Sequence, residues 1–331
     1  MKLLSNHSPP LDRKPAQQTM QTDWYKKLSK LRVDRASKNP APHKPLLLLA
    51  ILDQIESSAI TSNIVKLTPE LAFHFLGYWE IVSYRGRGIG RVELPFFYLQ
   101  SDGFLKPVAI HGLDAALGSI RPTSVDSLNK VISHAEMPEE FFALMQDKEN
   151  RDRARKILIA GSWFFPEEQI KLLSLLNFDA NDILLNGGSV FVASNEVDIK
   201  QGRDIKFRFQ IVPLYRFSCA LCEVKILLPS GITLVEAAHI HQFSHSRNDD
   251  INNGMALCRN HHWAFDQGLW SINPDFEIVV ACGAFTEQAI NQVSLVSYHS
   301  KKLDFSWLQS VYRPSQKNLE WHRKHRFIGQ L

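Results

Sequence analysis

Cysteine is scarce in this chain, with four in 331 residues. That excludes a disulfide-stapled framework, and three of the four (Cys219, Cys222 and Cys258) fall in one stretch of the second half. Long apolar runs are also missing. The strongest, Leu46 to Leu52, falls far short of the ~20 residues that a membrane span needs. No charged-then-apolar leader pattern opens the sequence, so the expectation is a cytoplasmic protein without a membrane partner. Neither sign of charge dominates. With 38 Lys and Arg against 34 Asp and Glu the formal net charge is +4, which permits local basic patches but announces no nucleic-acid footprint. No internal repeat is present. What remains is 44% hydrophobic and 22% charged, the profile of a globular chain long enough for two domains.

Residues 1–19 are polar, carry three prolines and show no periodicity, and are expected to form a disordered tail. Trp24, Leu28 and Leu31 sit at helical spacing. In "NPAPHKPLLLLAILDQIE" the prolines hold the approach extended, Pro45 fits a first helical turn, and Leu46 to Ile55 reads as a buried helix. "LTPELAFHFLGYWEIV" starts a second helix with Thr68 as N-cap and Pro69 at its first position. "YRGRGIGRVELPFFYLQSDGFLKPV" reads as a Gly-rich basic loop, a strand, a Ser101-Asp102-Gly103 turn and a second strand. Three amphipathic helices follow. The pattern weakens over 177–202, where "NGGS" marks a linker. The expected organisation is therefore α+β: a mixed helix/strand domain over 20–176 and a second domain over 203–331.

The second domain carries the chemistry. Cys219 and Cys222 form a C-x2-C pair, and Cys258 and His261 form a C-x2-H pair further on. Two such knuckles supply four ligands to a tetrahedral, closed and therefore structural zinc. Between and beside them stand His239, Asn253 and His262. His262 precedes Asp266 by four positions, so the two can share one face of a short helix and hold one divalent cation. His239 lies on a likely strand, "TLVEAAHI". A neutral imidazole there can take a proton from water near neutral pH, and a cation can stabilise the charge of phosphodiester cleavage. His241, His245 and Asp250 read as surface or turn residues.

"EAAHI…NNGMALCRNHHWAFDQG" resembles the HNH nucleases of ββα-metal fold, in the zinc-pinned form found in modification-dependent restriction enzymes. The resemblance covers about 219–268. It implies His239 as general base, Asn253 as the residue that orients it, and His262 as a ligand of a catalytic Mg²⁺ or Mn²⁺, with Asp266 where some members place a second ligand. Many members carry an acid or histidine directly before the base. Here that position is Ala238, and Glu236, two residues further back, shares its face on a regular strand.

The first domain is then expected to choose the target. Pro42, His43 and Lys44 stand at the mouth of a buried helix. Arg85, Arg87 and Arg91 lie on the Gly-rich loop, a frame suited to phosphate or base-edge contacts, and Pro95 and Phe96 follow. "LRVDRASKNPAPHKPLLLLAILDQI", "YWEIV" and "LPFFYLQSDGFL" resemble the DNA sulfur-binding domain that precedes zinc-pinned HNH domains in type IV, McrA-like, phosphorothioate-dependent restriction endonucleases. The resemblance covers about 25–175. It implies a double-stranded DNA partner in which sulfur replaces one non-bridging phosphate oxygen. Sulfur is larger and a poorer hydrogen-bond acceptor than oxygen, so a selective site offers it an apolar cup, which Pro95 and its neighbours can line beside His43, Lys44 or the loop arginines. Two cuts in a duplex suit a homodimer on DNA. Three other readings stay open. One is a nuclease that flips a modified base into an aromatic cage, for which Tyr78, Trp79 and Tyr84 are available. Another is a nicking or homing nuclease for unmodified DNA, and the third is a non-cleaving, zinc-containing DNA-binding regulator. The run His322 to Arg326 is either a phosphate-contact patch or a solvated helix.

Overall fold

The computed structural model describes residues 23–34, 40–86, 88–178, 196–291 and 293–330, with side chains from 202 onward in the fourth stretch. The expected tail, Arg87 and most of the expected linker lie outside the described residues. In chain order the elements are helix α1 (residues 23–28), α2 (His43–Glu56), β1 (Ile64–Val65), α3 (Pro69–Val82), α4 (Glu93–Tyr98), β2 (Lys106–Ala109), α5 (Asp114–Ser119), α6 (Val125–Asn129), β3 (Ile132–Glu136), α7 (Glu139–Met145), α8 (Lys148–Ile159) and α9 (Pro166–Leu176). There follow α10 (Glu196–Leu214), β4 (Val235–His239), α11 (Phe243–Ser246), β5 (Gly254–Cys258), α12 (Arg259–Asp266), β6 (Trp270–Ile272), β7 (Ile278–Val280) and α13 (Gln316–His325). None of the described helices is long and apolar enough to cross a membrane.

The described residues divide into two compact units that do not follow the chain as two contiguous blocks. One holds residues 23–67 and Val82–Gln169. The other holds Thr68–Ile81, Ile170–Phe178 and the chain from 196 onward. α10 starts at Glu196, so the end of the expected linker is helical.

In the first unit α2 is buried nearly all round, from Pro45 to Ile55, as a continuous apolar run dictates. The sheet is small and antiparallel, in the order β1-β3-β2. The expected strand at "LPFFYLQ" is instead helix α4, which continues as a 3-10 turn over Leu99–Asp102. Val92, Phe96 and Leu99 are buried while Tyr98 is 46% exposed. That is a spacing of four and then three, a helical stripe, and it overrides the strand preference of the adjacent aromatics. Gly103 then turns the chain with φ +73°, a conformation that costs glycine nothing.

Arg85 was expected on a DNA-facing loop, and the structure corrects that. Its side chain is fully buried and paired with the equally buried Glu168. Nε donates to Glu168 Oε1 at 2.6 Å, one amino group donates to Pro40 O at 2.8 Å, and the other donates to Trp163 O at 3.0 Å. The guanidinium also lies over the Phe165 ring, 4.4 Å from its centroid. Burying a charge is costly unless it is paired and hydrogen-bonded, and here four donor bonds tie three chain segments together. Arg85→Ala is expected to destabilise the protein by about 3–5 kcal/mol, since it leaves Glu168 charged, buried and unpaired. Denaturant unfolding of the full chain measures this, and a loss below about 1 kcal/mol, the range of a surface ion pair, would contradict it.

In the second unit α3 packs on α10. Phe73 meets Phe209 and Phe217 with ring centroids 5.8 and 5.1 Å apart, and Glu80 pairs with Arg208 at 2.9 Å. Gly77 permits the approach, because a Cβ there would lie 2.3 Å from the Phe209 ring. The remaining core gathers α10, the β4–β5 hairpin, α12, the β6–β7 hairpin and α13. Among its members His322 is 1% exposed and its ring stacks on Phe265 at 3.7 Å. Burial pushes its pKa down to about 4, so it is a neutral core residue.

Candidate active site

β4 and β5 form an antiparallel ladder in which Val235 faces Cys258 and His239 faces Gly254. α12 begins at once, with Cys258 as its N-cap. The result is a strand–strand–helix unit whose two strand ends carry different groups.

At one end, Cys219 and Cys222 from the turn after α10 meet Cys258 and His261. All four potential ligand atoms lie within 4.8 Å of one another, and among the described residues no other group of three or more acids, thiols or imidazoles is gathered in this way. Cys219 Sγ is 3.5 Å and Cys258 Sγ 3.3 Å from His261 Nδ1, and Cys222 Sγ is 3.9 Å from Cys258 Sγ. A tetrahedron with Zn–S bonds of about 2.3 Å has edges of about 3.8 Å, so the donor set fits a four-coordinate ion. Hydrogen bonds from Cys219 and Cys222 hold the Cys258 thiol well below its usual range. Burial opposes protonation of His261, but hydrogen bonds with Cys222 and Cys258 outweigh it and push that imidazole up to about 9. The same hydrogen bonds push the Cys219 thiol up, so it is the geometry and softness of the four donors that suit a divalent cation.

At the other end His239 and His262 line one cleft together with Glu236, Phe207, Arg203 and Arg247. The His239 ring lies flat on Phe207 of α10, 3.8 Å between centroids and 5° between planes. Its Nε2 is 2.8 Å from Asp249 Oδ1, and Arg203 holds the other carboxylate oxygen at 3.1 Å. A carboxylate only accepts, so Nε2 carries the proton and Nδ1 is left as the basic atom. Gly254, opposite His239, leaves room for α10, since a Cβ there would come within 2.3 Å of Ile211.

Asn253 is fully buried and does not touch the His239 ring. Its Oδ1 accepts from His241 N at 2.8 Å, and its Nδ2 donates to His241 O at 3.0 Å and Asn248 O at 2.9 Å. It clasps the backbone just after His239 and the loop that carries Asp249.

On α12, consecutive residues point about 100° apart, so His261 can face the cysteines while His262 faces the cleft. His262 Nδ1 is 3.0 Å from Glu236 Oε2 and its Nε2 is 3.5 Å from Asp266 Oδ2. The two carboxylates approach different nitrogens, so an ion on either nitrogen meets one of them. Glu236 lines the cleft with His239, and Asp266 does not. Burial pushes the Asp266 carboxyl up, against the pull of His262 and Arg326.

The residues expected to read DNA are more dispersed. Pro42, Pro95 and Phe96 are buried, and His43 and Lys44 are half-buried. Lys44 Nζ is bound to Asp102 at 2.6 Å and Ser101 at 3.0 Å, so the start of α2 and the turn after α4 are brought together. Arg91 keeps a side chain that is 45% exposed while pairing with Glu93. Sequence reasoning missed Asp249, Arg203 and Phe207. Asp249 stands in "RNDD", where an acid near an Asn-rich turn looks like turn chemistry, and Phe207 and Arg203 lie on a helix more than thirty residues before the base.

No curated protein matches this chain significantly. A solved structure described as a modification dependent TagI restriction endonuclease aligns at 20% identity with a TM-score of 0.28, over 36% of this chain and 36% of its own. Residues 219–273 match the family model described as HNH endonuclease. That span runs from the first zinc-type cysteine through β4, β5 and α12 to the end of β6. Match and geometry agree on an HNH endonuclease domain over these residues.

Proposed function

We propose that the protein is a modification-dependent DNA endonuclease that recognises phosphorothioated DNA with its first unit and hydrolyses a phosphodiester bond with its second. The observation that carries the nuclease half is the shared cleft of His239 and His262, each held by its own carboxylate on opposite elements of one hairpin–helix unit. His239 Nδ1 takes a proton from the attacking water while Asp249 and Phe207 hold the ring and Asp249 balances the imidazolium that forms. The oxygen of that water bonds to phosphorus, and the bond to the 3′ oxygen breaks. His262 and Glu236 would hold a Mg²⁺ or Mn²⁺ ion, whose chemistry when bound is to stabilise charge on the phosphate and the departing oxygen. Cys219, Cys222, Cys258 and His261 hold a structural zinc that fixes β5 to the turn after α10.

The sulfur reading rests on the resemblance of the first unit's motifs. Of the three aromatics that could cage a flipped base, Tyr78 is fully buried and Trp79 is 4% exposed, while Tyr84 is 55% exposed. Among the described cations of the expected set, Arg91 has a side chain that is 45% exposed and Lys44 one that is 13% exposed. Fluorescence anisotropy of the full chain, without added divalent cation, on matched duplexes with and without one phosphorothioate tests this reading. Tighter binding of the sulfur duplex is expected, with both affinities falling as salt rises and their ratio falling much less, because the sulfur contact is apolar and local. Equal affinities at every salt concentration would refute sulfur as the mark.

Glu236→Gln is expected to lower the cleavage rate by about 10–100-fold and to raise the Mg²⁺ concentration needed for half-maximal rate, as loss of an ion's supporting ligand does. Asp266→Asn is expected to cost less than the Glu236 change. A magnesium titration of both variants checks the order, and the reverse order would move the ion to the Asp266 side of His262.

A further inference from the structure

The basic run His322 to Arg326 is divided by the structure. His322 is spent in the core, where Nδ1 accepts from Ser271 Oγ at 2.9 Å and Nε2 donates to Phe265 O at 3.0 Å. Arg323 donates to Ile272 O at 2.6 Å, Lys324 pairs with Glu320, and Arg326 donates to Asp266 O. His325 is left on the outside with Trp321. The Trp321 ring stacks on His241 at 3.9 Å and 21°, and on His325 at 5.1 Å and 18°, with His245 5.5 Å away. One half-buried indole thus gathers three imidazoles, from the bend after β4, from α11 and from its own helix α13, and His245 and His325 are exposed.

A mere cover for the core would not need three protonatable rings at one point. Burial, then the nearness of His245, His325 and Lys317, disfavours protonation of His241, and ring N–H groups and an ammonium gathered at one point suit a phosphate. The position is also specific. His241 follows His239 by two residues, and Asn253 clasps its backbone N–H and C=O. The chain bends at residues 240 and 241, directly after the strand that carries the candidate base. A strand whose scissile phosphate lies at His239 would bring its next phosphates to these rings.

We propose that His241, His245, Trp321, His325 and Lys317 form a second DNA-contact surface of the nuclease unit, which grips the sugar–phosphate strand beside the bond that is cut. Trp321 holds the rings together by stacking, and the exposed His245 and His325 with Lys317 offer hydrogen-bond donors to phosphates. This rests on the reading of His239 as the base of a DNA nuclease.

The test uses the full chain, a fluorescein-labelled unmodified duplex and no added divalent cation. The double variant His245→Ala/His325→Ala removes two exposed side chains and leaves the core intact. It is expected to weaken binding about 5- to 10-fold at low salt and to make the log–log salt dependence shallower by about 1–2. In cleavage assays with Mg²⁺ on a phosphorothioated duplex, KM should rise by a similar factor while kcat stays within about twofold. Trp321→Ala should weaken binding as well, and Trp321→Phe should restore it. Unchanged affinity, salt slope and KM in the double variant would overturn the surface, even if the thermal midpoint fell, because that pattern belongs to a structural cover. Binding of duplex by the wild type with no response in the variant removes only this surface. A wild type that binds no duplex removes it together with the nuclease reading, which the cleavage test of His239→Ala addresses by itself.

Discussion

Replacing His239 with alanine is expected to slow strand cleavage by about 10²–10⁴-fold and to leave duplex affinity within about twofold of wild type. The imidazole takes a proton only as the water attacks, so its loss is felt in kcat and little in binding. Its supports are expected to show a graded echo. Asp249→Asn keeps the size of the side chain and some hydrogen bonding to Nε2 at 2.8 Å, but it removes the charge that balances the imidazolium. It should lower kcat by less than His239→Ala and shift the lower limb of the pH–rate profile, because a neutral partner lowers the pKa of the base. Asp249 also holds Arg203, so Arg203→Ala is the control for a merely loosened loop. Single-turnover cleavage with excess enzyme measures the chemical step directly. A His239→Ala enzyme that cuts at wild-type rate would remove this residue from the mechanism.

The other large effect is expected at the cysteine cluster. One zinc per chain should be found by metal analysis, with Zn–S bonds near 2.3 Å by X-ray absorption. Structural zinc contributes roughly 10–16 kcal/mol of apparent binding free energy to the folds that hold it, which exceeds the whole stability of most domains. Cys222→Ala should therefore lose the metal and the cooperative unfolding of the second unit together. The effect should reach the catalytic end, because Cys258 closes β5 and caps α12, the helix that carries His262. A Cys222→Ala protein with unchanged metal content and unfolding midpoint would contradict the assignment.

What the sequence disclosed, and what it withheld, follows from the range of the interactions. The zinc-type knuckles were legible because C-x2-C and C-x2-H each place two ligands by local geometry alone. The helix α2 was legible because a long apolar run after a proline has few other uses. The role of Arg85 was not legible. Its carboxylate partner, Glu168, is 83 residues away, and an arginine at the start of a Gly-rich stretch looks the same whether it faces phosphate or a buried acid. α4 was mistaken for a strand because "PFFY" favours a sheet locally, while the Val92, Phe96 and Leu99 stripe becomes decisive only once all three are known to be buried. The placement of α3 with α10 depends on Gly77 and Phe209, residues with no pattern in common. At the candidate site the sequence marked His239, Asn253 and His262, but the groups that hold the imidazoles come from α10, a turn and the far end of a strand. Glu236 was visible as an acid two positions before Ala238. Only the fold shows it against His262 and in the cleft.

The central claim is that this endonuclease cuts DNA because of a mark on the backbone. The most direct measurement is cleavage of two plasmids of identical sequence, one phosphorothioated and one not, by the full chain with Mg²⁺ and with Mn²⁺. The account predicts that the marked plasmid is converted to nicked and linear forms while the unmarked plasmid stays supercoiled, and that His239→Ala cuts neither. Equal cutting of both plasmids by the wild type would contradict it.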